Sequence, residues 1–218
     1  MKNILKLFVA ILAISATSSL NAQQFGIKGG VNLANLLAKN DTDGTYSEDF
    51  KSLLGFHAGV TVDFPINDLL SFQTGALLSQ KGYKIEEEDK VLGAALKASS
   101  SIMYVDIPLH LKASFGVGGL KVYGLAGPYI GIGLSGKDKT ELTIAGQTTK
   151  KEEDITFGSE KEDVKRLDYG LSVGAGIEIN HITLGATYNL GLASVSNITE
   201  DSNKVNTRVF QVSVGYKF

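Results

Sequence analysis

Histidine and serine side chains are the groups of this chain that could serve as general bases and nucleophiles. His57 and His110 lie in segments of alternating polarity, whereas His181 lies in a short connection. Nucleophilic catalysis needs a hydroxyl held next to a base, and Ser79 is the conceivable partner of His57. The spacing places no third ligand for a two-histidine metal site, and the chain has no cysteine. We therefore expect no catalytic residue, no metal and no cofactor.

A second set of ionisable residues recurs on one side of the alternating segments. The set consists of Lys28, His57, Asp63, Asp106, His110, Lys112, Lys121, Glu178 and Lys217. One hypothesis is a polar relay or a narrow ion path. The other, which we favour, is a network of ion pairs and hydrogen bonds that fills the interior of the fold, because charges removed from water must be paired.

Period-two alternation of apolar and polar residues predicts the elements that position these groups. It occurs in eight runs, and no helical stripe of period 3.6 competes with it. The runs are Gln24–Asn35, Gly55–Pro65, Leu69–Tyr83, Ser101–Phe115, Leu120–Ser135, Leu167–Asn180, Ile182–Ser194 and Thr207–Phe218. The stretch Glu86–Ala98 is the one that is compatible with a helix, and we expect a helical or disordered loop there.

The connections between the runs alternate in length. The short ones are Ile66–Asp68, Gly116–Gly119 and Asn180–His181, and the long polar ones are Leu36–Leu54, Lys84–Ser100, Gly136–Arg166 and Val195–Asn206. Short periplasmic turns and long extracellular loops are typical of outer-membrane barrels. The pattern predicts an all-β fold, an eight-stranded antiparallel up-and-down transmembrane β-barrel with both termini at the periplasmic end.

The polar face of the runs distinguishes a membrane barrel from a soluble one. Fourteen polar-face positions in the last three runs hold five glycines and only two charges, Glu178 and Lys217. A face that meets water would carry more Lys and Glu, whereas the narrow lumen of an eight-stranded barrel needs small residues. We expect the polar face inside and the apolar face in lipid, and the alternative is a soluble periplasmic, lipocalin-like ligand carrier.

Composition and the N-terminal segment limit the class of protein. The 218 residues include 25 Gly and no Cys, and carry a formal net charge of −2, which argues against a disulfide scaffold and a nucleic-acid binder. Residues 1–22 read as a signal peptide, with basic Lys2 and Lys6, an apolar stretch and Ala22 before cleavage. The predicted division is therefore a signal peptide over 1–22 and a barrel domain over 23–218.

Two prolines and the longest loop carry further expectations. Pro108 and Pro128 lie inside runs, and because a closed barrel has no free edge we expect a β-bulge at each. The connection Gly136–Arg166 contains seven basic and eight acidic residues. We expect Thr140–Ile144 and Ile155–Phe157 to prolong the flanking strands beyond the bilayer.

Several segments resemble a known family. The segments are Phe25–Leu33 (FGIKGGVNL), Tyr104–Lys112 (YVDIPLHLK), Gly127–Gly136 (GPYIGIGLSG), Asp168–Glu178 (DYGLSVGAGIE) and Tyr188–Leu192 (YNLGL). Together they resemble the PorT-like outer-membrane β-barrel proteins of Bacteroidetes-type bacteria. The terminal Phe218, which closes an alternating run, resembles the signal read by the barrel assembly machinery.

The resemblance implies a Gram-negative outer-membrane location and, through the founding member of the family, a link to protein secretion. From the residues we expect an integral outer-membrane protein with a non-catalytic structural or interaction role that works through its external loops. The expected partners are outer-membrane lipid and lipopolysaccharide, the assembly machinery and an envelope protein, with no nucleic acid. A narrow channel is the other membrane alternative.

Overall fold

The computed structural model describes residues 23–40, 44–45, 51–89, 94–117, 119–144, 147–158, 164–194 and 204–218. The predicted signal peptide lies outside the described residues. The elements within these ranges are ten β-strands. They are β1 (Gln24–Asn40), β2 (Gly44–Thr45), β3 (Lys51–Pro65), β4 (Leu70–Asp89), β5 (Ala94–Val117), β6 (Leu120–Ile144), β7 (Gln147–Asp154), β8 (Leu167–Ile179), β9 (Ile182–Ser194) and β10 (Lys204–Lys217).

Eight of these strands close into a barrel, as the alternation predicts. Each of the long strands pairs antiparallel with its neighbours in the order β1, β3, β4, β5, β6, β8, β9, β10. β1 then pairs with β10, from Gly26 opposite Lys217 to Lys39 opposite Lys204, which closes the ring. Closure leaves the barrel wall without a free edge, so the backbone polar groups of its strands are satisfied within the wall.

The barrel has its polar side chains inside and its apolar side chains outside. Buried positions include Asn32, Asp63 and Lys81, whereas the exposed large side chains are apolar, such as Val60 and Leu171. This is the arrangement of a barrel whose wall faces lipid, and it contradicts the soluble, lipocalin-like alternative, which needs apolar residues inside. No helix in the described ranges is long and apolar enough to cross a membrane.

Short turns join β3 to β4, β5 to β6 and β8 to β9 at one end of the barrel. The turn between β8 and β9 consists of Asn180 and His181. Asn180 takes a left-handed conformation with φ of 53°, which asparagine tolerates better than most residues. Its backbone N–H donates to the Gly119 carbonyl in the neighbouring turn. The remaining connections leave from the opposite end, but most of the connection predicted over Lys84–Ser100 is strand, since β4 runs to Asp89 and β5 begins at Ala94.

The expectation of a helical or disordered loop over Glu86–Ala98 is wrong for the residues that the structure describes. β4 continues to Asp89 and β5 begins at Ala94, with Glu86 opposite Lys97 and Ile85 opposite Ala98. Pairing with neighbouring strands overrides the local helix preference of this charged segment. The strands therefore run well past the limits set by the apolar alternation.

The expectation of a bulge at Pro108 and at Pro128 is also wrong. Pairing between β5 and β6 skips a few positions near both prolines but resumes in the same register, with Pro108 opposite Tyr129 and Leu111 opposite Ala126. The missing N–H groups thus interrupt the ladder without inserting a residue. Next to Pro128, Gly127 has φ of +155°, and a Cβ there would collide with the Leu109 carbonyl.

Register shifts occur instead nearer the loop end. One lies between Ser52 and His57 on β3, another between Met103 and Tyr104 on β5, and a third between Asn206 and Arg208 on β10. Bulges at the rim of a barrel bend the strands and re-aim side chains. They fall where the wall changes from a closed ring to a protruding sheet.

The protruding part of the sheet is prolonged by a charged hairpin. β7 pairs with the end of β6, from Lys137 opposite Asp154 to Ile144 opposite Gln147. The extension over Thr140–Ile144 is thus confirmed, with β7 as its partner, and Ile155 continues the ladder through a hydrogen bond of 2.9 Å from its N–H to the Gly136 carbonyl. Cross-strand ion pairs join Lys150 to Glu141 and Lys137 to Glu152, each at 2.6 Å.

These ion pairs predict that the hairpin loosens in acid while the barrel persists. The hydrogen bond from Lys150 holds the pKa of Glu141 below its ordinary value, and hydrogen bonds from Lys137 and Lys139 do the same for the pKa of Glu152. The contribution of these pairs is complete above the unfolded glutamate pKa of about 4.3 and is lost as the pH falls through the lower folded values.

A spin label on Thr149→Cys in this cysteine-free chain should therefore gain mobility between neutral pH and about pH 3. The matched control is Glu141→Gln with Glu152→Gln, which should already be mobile at neutral pH and respond much less. An equal response to acid in both proteins would contradict the assignment to these two carboxylates.

Candidate functional site

The lumen near the turn end holds a square of two lysines and two carboxylates. Lys217 lies 2.9 Å from Asp63 and 2.6 Å from Glu178, and Lys112 lies 3.1 Å from Asp63 and 3.7 Å from Glu178. Gln73 donates a further hydrogen bond of 2.6 Å to Asp63. The five side chains come from β3, β4, β5, β8 and β10, so this turn-end cluster ties together most of the wall.

A second cluster lies nearer the loop end and is centred on one lysine. Lys81 is 1% exposed, and its Nζ lies 2.8 Å from Asp106 Oδ1 and 2.9 Å from Asp168 Oδ2. The same ammonium lies 4.8 Å from the ring centre of Tyr104 and 4.6 Å from that of Tyr129. Two carboxylates and two aromatic faces thus replace the hydration shell of a fully buried cation.

Inward-facing glycines leave the space that these large groups occupy. A Cβ on Gly131 would lie 2.6 Å from Asp106 Oδ1, within the Lys81 cluster. Gly176 and Gly185 face the hydroxyl of Tyr123 in the same way, and that ring lies under the Lys112 ammonium at 4.4 Å. The glycines on the polar face are therefore a packing requirement of the narrow lumen, as the sequence predicts.

Asn32, His57 and Ser213 form a hydrogen-bonded chain across three strands. His57 Nδ1 lies 2.7 Å from Asn32 Oδ1, and His57 Nε2 lies 2.9 Å from Ser213 Oγ. Asn32 Nδ2 has three oxygen acceptors, those of Phe56, Ser79 and Gln80, so its Oδ1 is the atom that faces His57. The network therefore assigns the proton to His57 Nδ1, and Nε2 accepts from Ser213.

This connectivity is that of a serine–histidine–amide triad. However, Asn32, His57 and Ser213 are all buried. The cavity beside Ser213 measures about 20 Å³, which is room for about one water and not for a substrate carbonyl with its substituents. The geometry supports a hydrogen-bonded brace between β1, β3 and β10. Ser79, the partner considered for His57, bonds Asn32 instead.

Most of the lumen residues considered from the sequence face inward and belong to the two clusters, the asparagine–serine chain or the cavities between the clusters. Asp63, Lys112, Glu178 and Lys217 belong to the turn-end cluster, and Asp106 belongs to the Lys81 cluster. His57 lies in the asparagine–serine chain. Lys28 and His110 border the cavities between the two clusters. Lys121 is exposed and lies at the turn-end rim rather than in the buried network.

The sequence reasoning missed the residues of the Lys81 cluster other than Asp106. Lys81 lies on the same face of β4 as Gln73 and Ser79, and Asp168 lies on the same face of β8 as Ser172 and Glu178. Both residues lie within the predicted runs Leu69–Tyr83 and Leu167–Asn180, so the alternation already placed them on the inward face. Phe218 is 72% exposed and its ring meets that of Tyr216 edge-on at 5.3 Å.

Apolar side chains are buried at the loop end of four strands. They are Ala34, Leu36, Leu53, Ala193 and Val209, from β1, β3, β9 and β10, and we call them the apolar cap. The cap lies beside the Lys81 cluster, because Thr207, the next inward residue after Val209 towards the loops, donates from its Oγ1 to Asp168 Oδ2 at 3.5 Å.

The outward face of the protruding sheet carries most of its charge as lysine. Cross-strand register places Glu86, Lys97, Glu141 and Lys150 in one row, and Lys84, Ser99, Lys139 and Glu152 in the row nearer the bilayer. Lys51 adds a contact of 2.7 Å to Glu86. We call these residues, with Lys137 and Asp154, the outward lysine face, since it holds six lysines and four acids.

The Lys81 cluster generates a prediction about stability. Lys81→Met leaves two buried carboxylates without a cation and should lower the free energy of unfolding by roughly 3–5 kcal/mol. Adding Asp106→Asn and Asp168→Asn should recover a large part of that loss, since no buried charge is then unpaired. Urea unfolding in lipid vesicles, followed by circular dichroism, measures both changes.

The control is Lys121→Met, which alters an exposed lysine at the rim and should change the same free energy by no more than about 0.5 kcal/mol. Equal stability of Lys81→Met and Lys121→Met would show that the cluster contributes no more than a surface charge.

The chain resembles solved structures and a family model, whereas no curated protein sequence matches it. Among solved structures, the chain is similar to Ail of Yersinia pestis, with 16% identity, 89% of this chain and 98% of that one covered, and a TM-score of 0.35. It is similar to OprG of Pseudomonas aeruginosa, with 15% identity, 90% and 96% covered, and a TM-score of 0.42. It is also similar to Neisserial surface protein A, with 16% identity, 89% and 97% covered, and a TM-score of 0.40.

Likenesses as distant as these do not bear on what the chain does. The family comparison is more extensive. A model described as the outer membrane protein beta-barrel domain matches residues 17–197, which is most of the chain and includes every strand of the barrel except β10. The closed ring with its apolar exterior accords with that match, and the chain belongs to the outer membrane protein beta-barrel domain family.

Proposed function

We propose that this protein is a non-catalytic outer-membrane barrel that works through its external extension, as a structural or interaction protein of the envelope. One observation carries the proposal. The described lumen is filled by paired charges and, at the loop end, by apolar side chains, whereas β6 continues for about ten residues beyond the lipid-facing Leu134, or roughly 30 Å along the strand. The exposed chemistry of the protein is thus concentrated in the protruding sheet.

Lipopolysaccharide is the proposed lipid partner of this extension. The outward lysine face begins three residues beyond Leu134, at Lys137, and so lies next to the headgroups of the outer leaflet. Lys84 makes no ion pair with any residue that the structure describes. Ammonium groups bind phosphate as point charges, and phosphorylated headgroups of the outer leaflet supply that charge.

Finer assignments rest on sequence features. The five matched segments support placement among the PorT-like proteins, and with it a role as a secretion or envelope accessory that contacts an envelope protein. The basic and apolar N-terminus supports cleavage of residues 1–22 as a signal peptide. The alternating end of β10 and the exposed Phe218 support recognition by the barrel assembly machinery.

A shortened hairpin tests the proposed role of the extension. Replacing residues 139–152 by Asn-Gly leaves Asp138 and Glu153 joined by a two-residue turn suited to a hairpin. Crosslinking in intact outer membranes should yield protein adducts with the full-length chain and lose them with the shortened one. Heat-modified migration on a gel verifies that both barrels are folded. Unchanged adducts with a folded, shortened barrel would overturn the proposal.

The lipid contact has its own test. Lys84→Gln with Lys139→Gln should lower the lipopolysaccharide that co-purifies with the barrel several-fold, because two cations near the phosphates are lost. The matched control is Lys121→Gln, which removes a lysine at the opposite rim and should leave co-purified lipopolysaccharide unchanged. Equal loss in both variants would point to a nonspecific effect of charge.

The absence of catalysis is tested at Ser213. A fluorophosphonate labels a serine that is activated by histidine and reachable from solvent. We expect no label on the folded protein in vesicles, because Ser213 is buried beside a space of one water. Labelling that Ser213→Ala abolishes, with His57→Gln also unreactive, would show a working nucleophile and contradict the non-catalytic role.

A further inference from the structure

Three cavities lined by described residues follow one another inside the barrel, beginning at the turn end. The first, of about 90 Å³, opens at the rim beside Ser71 and Lys121. The second and third measure about 20 Å³ each. The first and second share Lys112 and Lys217 as wall residues, and the second and third share Lys28. The three spaces therefore form one interrupted path along the lumen.

The third cavity is lined by polar groups that lack a partner. His110 is buried, and neither of its ring nitrogens has a hydrogen-bond partner among the described residues. The same holds for Ser172 Oγ. Lys28 borders both small cavities and makes no ion pair with any described side chain. Buried groups of this kind are costly unless something bonds them.

Water satisfies this set of groups, whereas an anion does not. A neutral histidine ring presents one donor and one acceptor, and Ser172 and Lys28 add donors. Water can donate and accept, and a space of about 20 Å³ exceeds the roughly 10–15 Å³ that one molecule needs. An anion would leave the histidine acceptor unsatisfied. It would also lie beside Asp106, which lines the same cavity.

The charges of the buried lumen also balance without an added ion. The turn-end cluster is neutral, with Lys112 and Lys217 against Asp63 and Glu178. The Lys81 cluster carries one negative charge in excess, from Asp106 and Asp168. Lys28 lies between the two and faces Asp106 across the third cavity. Water in that cavity would bridge the Lys28 ammonium and the Asp106 carboxylate.

The path ends on the loop side. Beyond the third cavity lies the Lys81 ammonium, enclosed by two carboxylates and two tyrosine rings. Tyr104 Oη and Asp168 Oδ1 in this cluster lack a partner among the described residues, so water that reaches the cluster can bond them. The apolar cap lies at the same end of the lumen and offers water no hydrogen bond.

We propose that the lumen binds a short chain of water molecules that enters from the turn end, occupies the site between Lys28, His110 and Ser172, and stops at the Lys81 cluster. The barrel is therefore hydrated from one side of the membrane only. This property concerns the interior and goes beyond the proposed role of the extension.

The absence of cysteine makes the path measurable with Ag⁺, an ion small enough to follow water and reactive with thiols. The cavity variant is Ser172→Cys, the sealed variant is Ala193→Cys in the apolar cap, and the rim variant is Ser71→Cys. Each is inserted into lipid vesicles with its turns outwards, which is checked by protease cleavage of the loops only after permeabilisation. Ag⁺ is added outside in nitrate buffer, and the remaining thiol is counted with a maleimide after unfolding.

We expect Ser71→Cys and Ser172→Cys to lose their thiol at least an order of magnitude faster than Ala193→Cys. Protection of Ser172→Cys while Ser71→Cys reacts would overturn the water path. Loss of the Ala193→Cys thiol at the rate of Ser172→Cys would overturn the seal. Thr187→Cys, on the wall of the same cavity, replaces Ser172→Cys should heat-modified migration show that the latter does not fold.

Discussion

In a closed eight-stranded barrel, the inward-facing polar groups have few available partners. The lumen is too narrow for bulk water, so each charge must meet an opposite charge on another strand or a small trapped hydration site. The two lysine-centred clusters meet this requirement. Lys81 joins β4 to β5 and β8, and Lys217 joins β10 to β3 and β8. The wall is thereby braced from inside.

The rest of the structure follows from that requirement. Because the charges fill the interior, glycine is needed opposite the tyrosines and carboxylates that accompany them. Because the clusters are neutralised within the lumen, the exterior is free to be apolar across the span of the bilayer. The same filling closes the lumen, so what the protein offers to other molecules lies on the strands that continue beyond the lipid.

Sequence patterns predicted the wall of the barrel well and its ends poorly. Alternation placed the faces of β3, β8, β9 and β10 correctly because a lipid-facing wall imposes a strict period of two. The alternation ended too early at the loop end. Strands there, such as β4 beyond Tyr83, carry charged instead of apolar residues on their outward face. The bulges expected at Pro108 and Pro128 are absent for a related reason. Each proline lacks an N–H donor, but the strands on both sides stay paired and keep the register.

The histidines show the same limit at the level of chemistry. The alternation of strand faces placed His57 inside and suggested Ser79 as its partner. It gives no information about which strand lies across the lumen. His57 meets Ser213, which is 156 residues away in the chain, because closure brings β10 back against β1. The resulting chain resembles a catalytic triad in its connectivity, and only its burial distinguishes the two.

The sequence by itself determined the eight strands, the side of the wall that residues between the turns and the register shifts face, and the end of the barrel from which the long loops leave. These features depend on local period and on composition, which act within a few residues. Only the tertiary structure decided which buried charges pair. Lys81 and Asp168 are 87 residues apart, and their contact depends on strand order, on register around the whole ring and on the space left by Gly131.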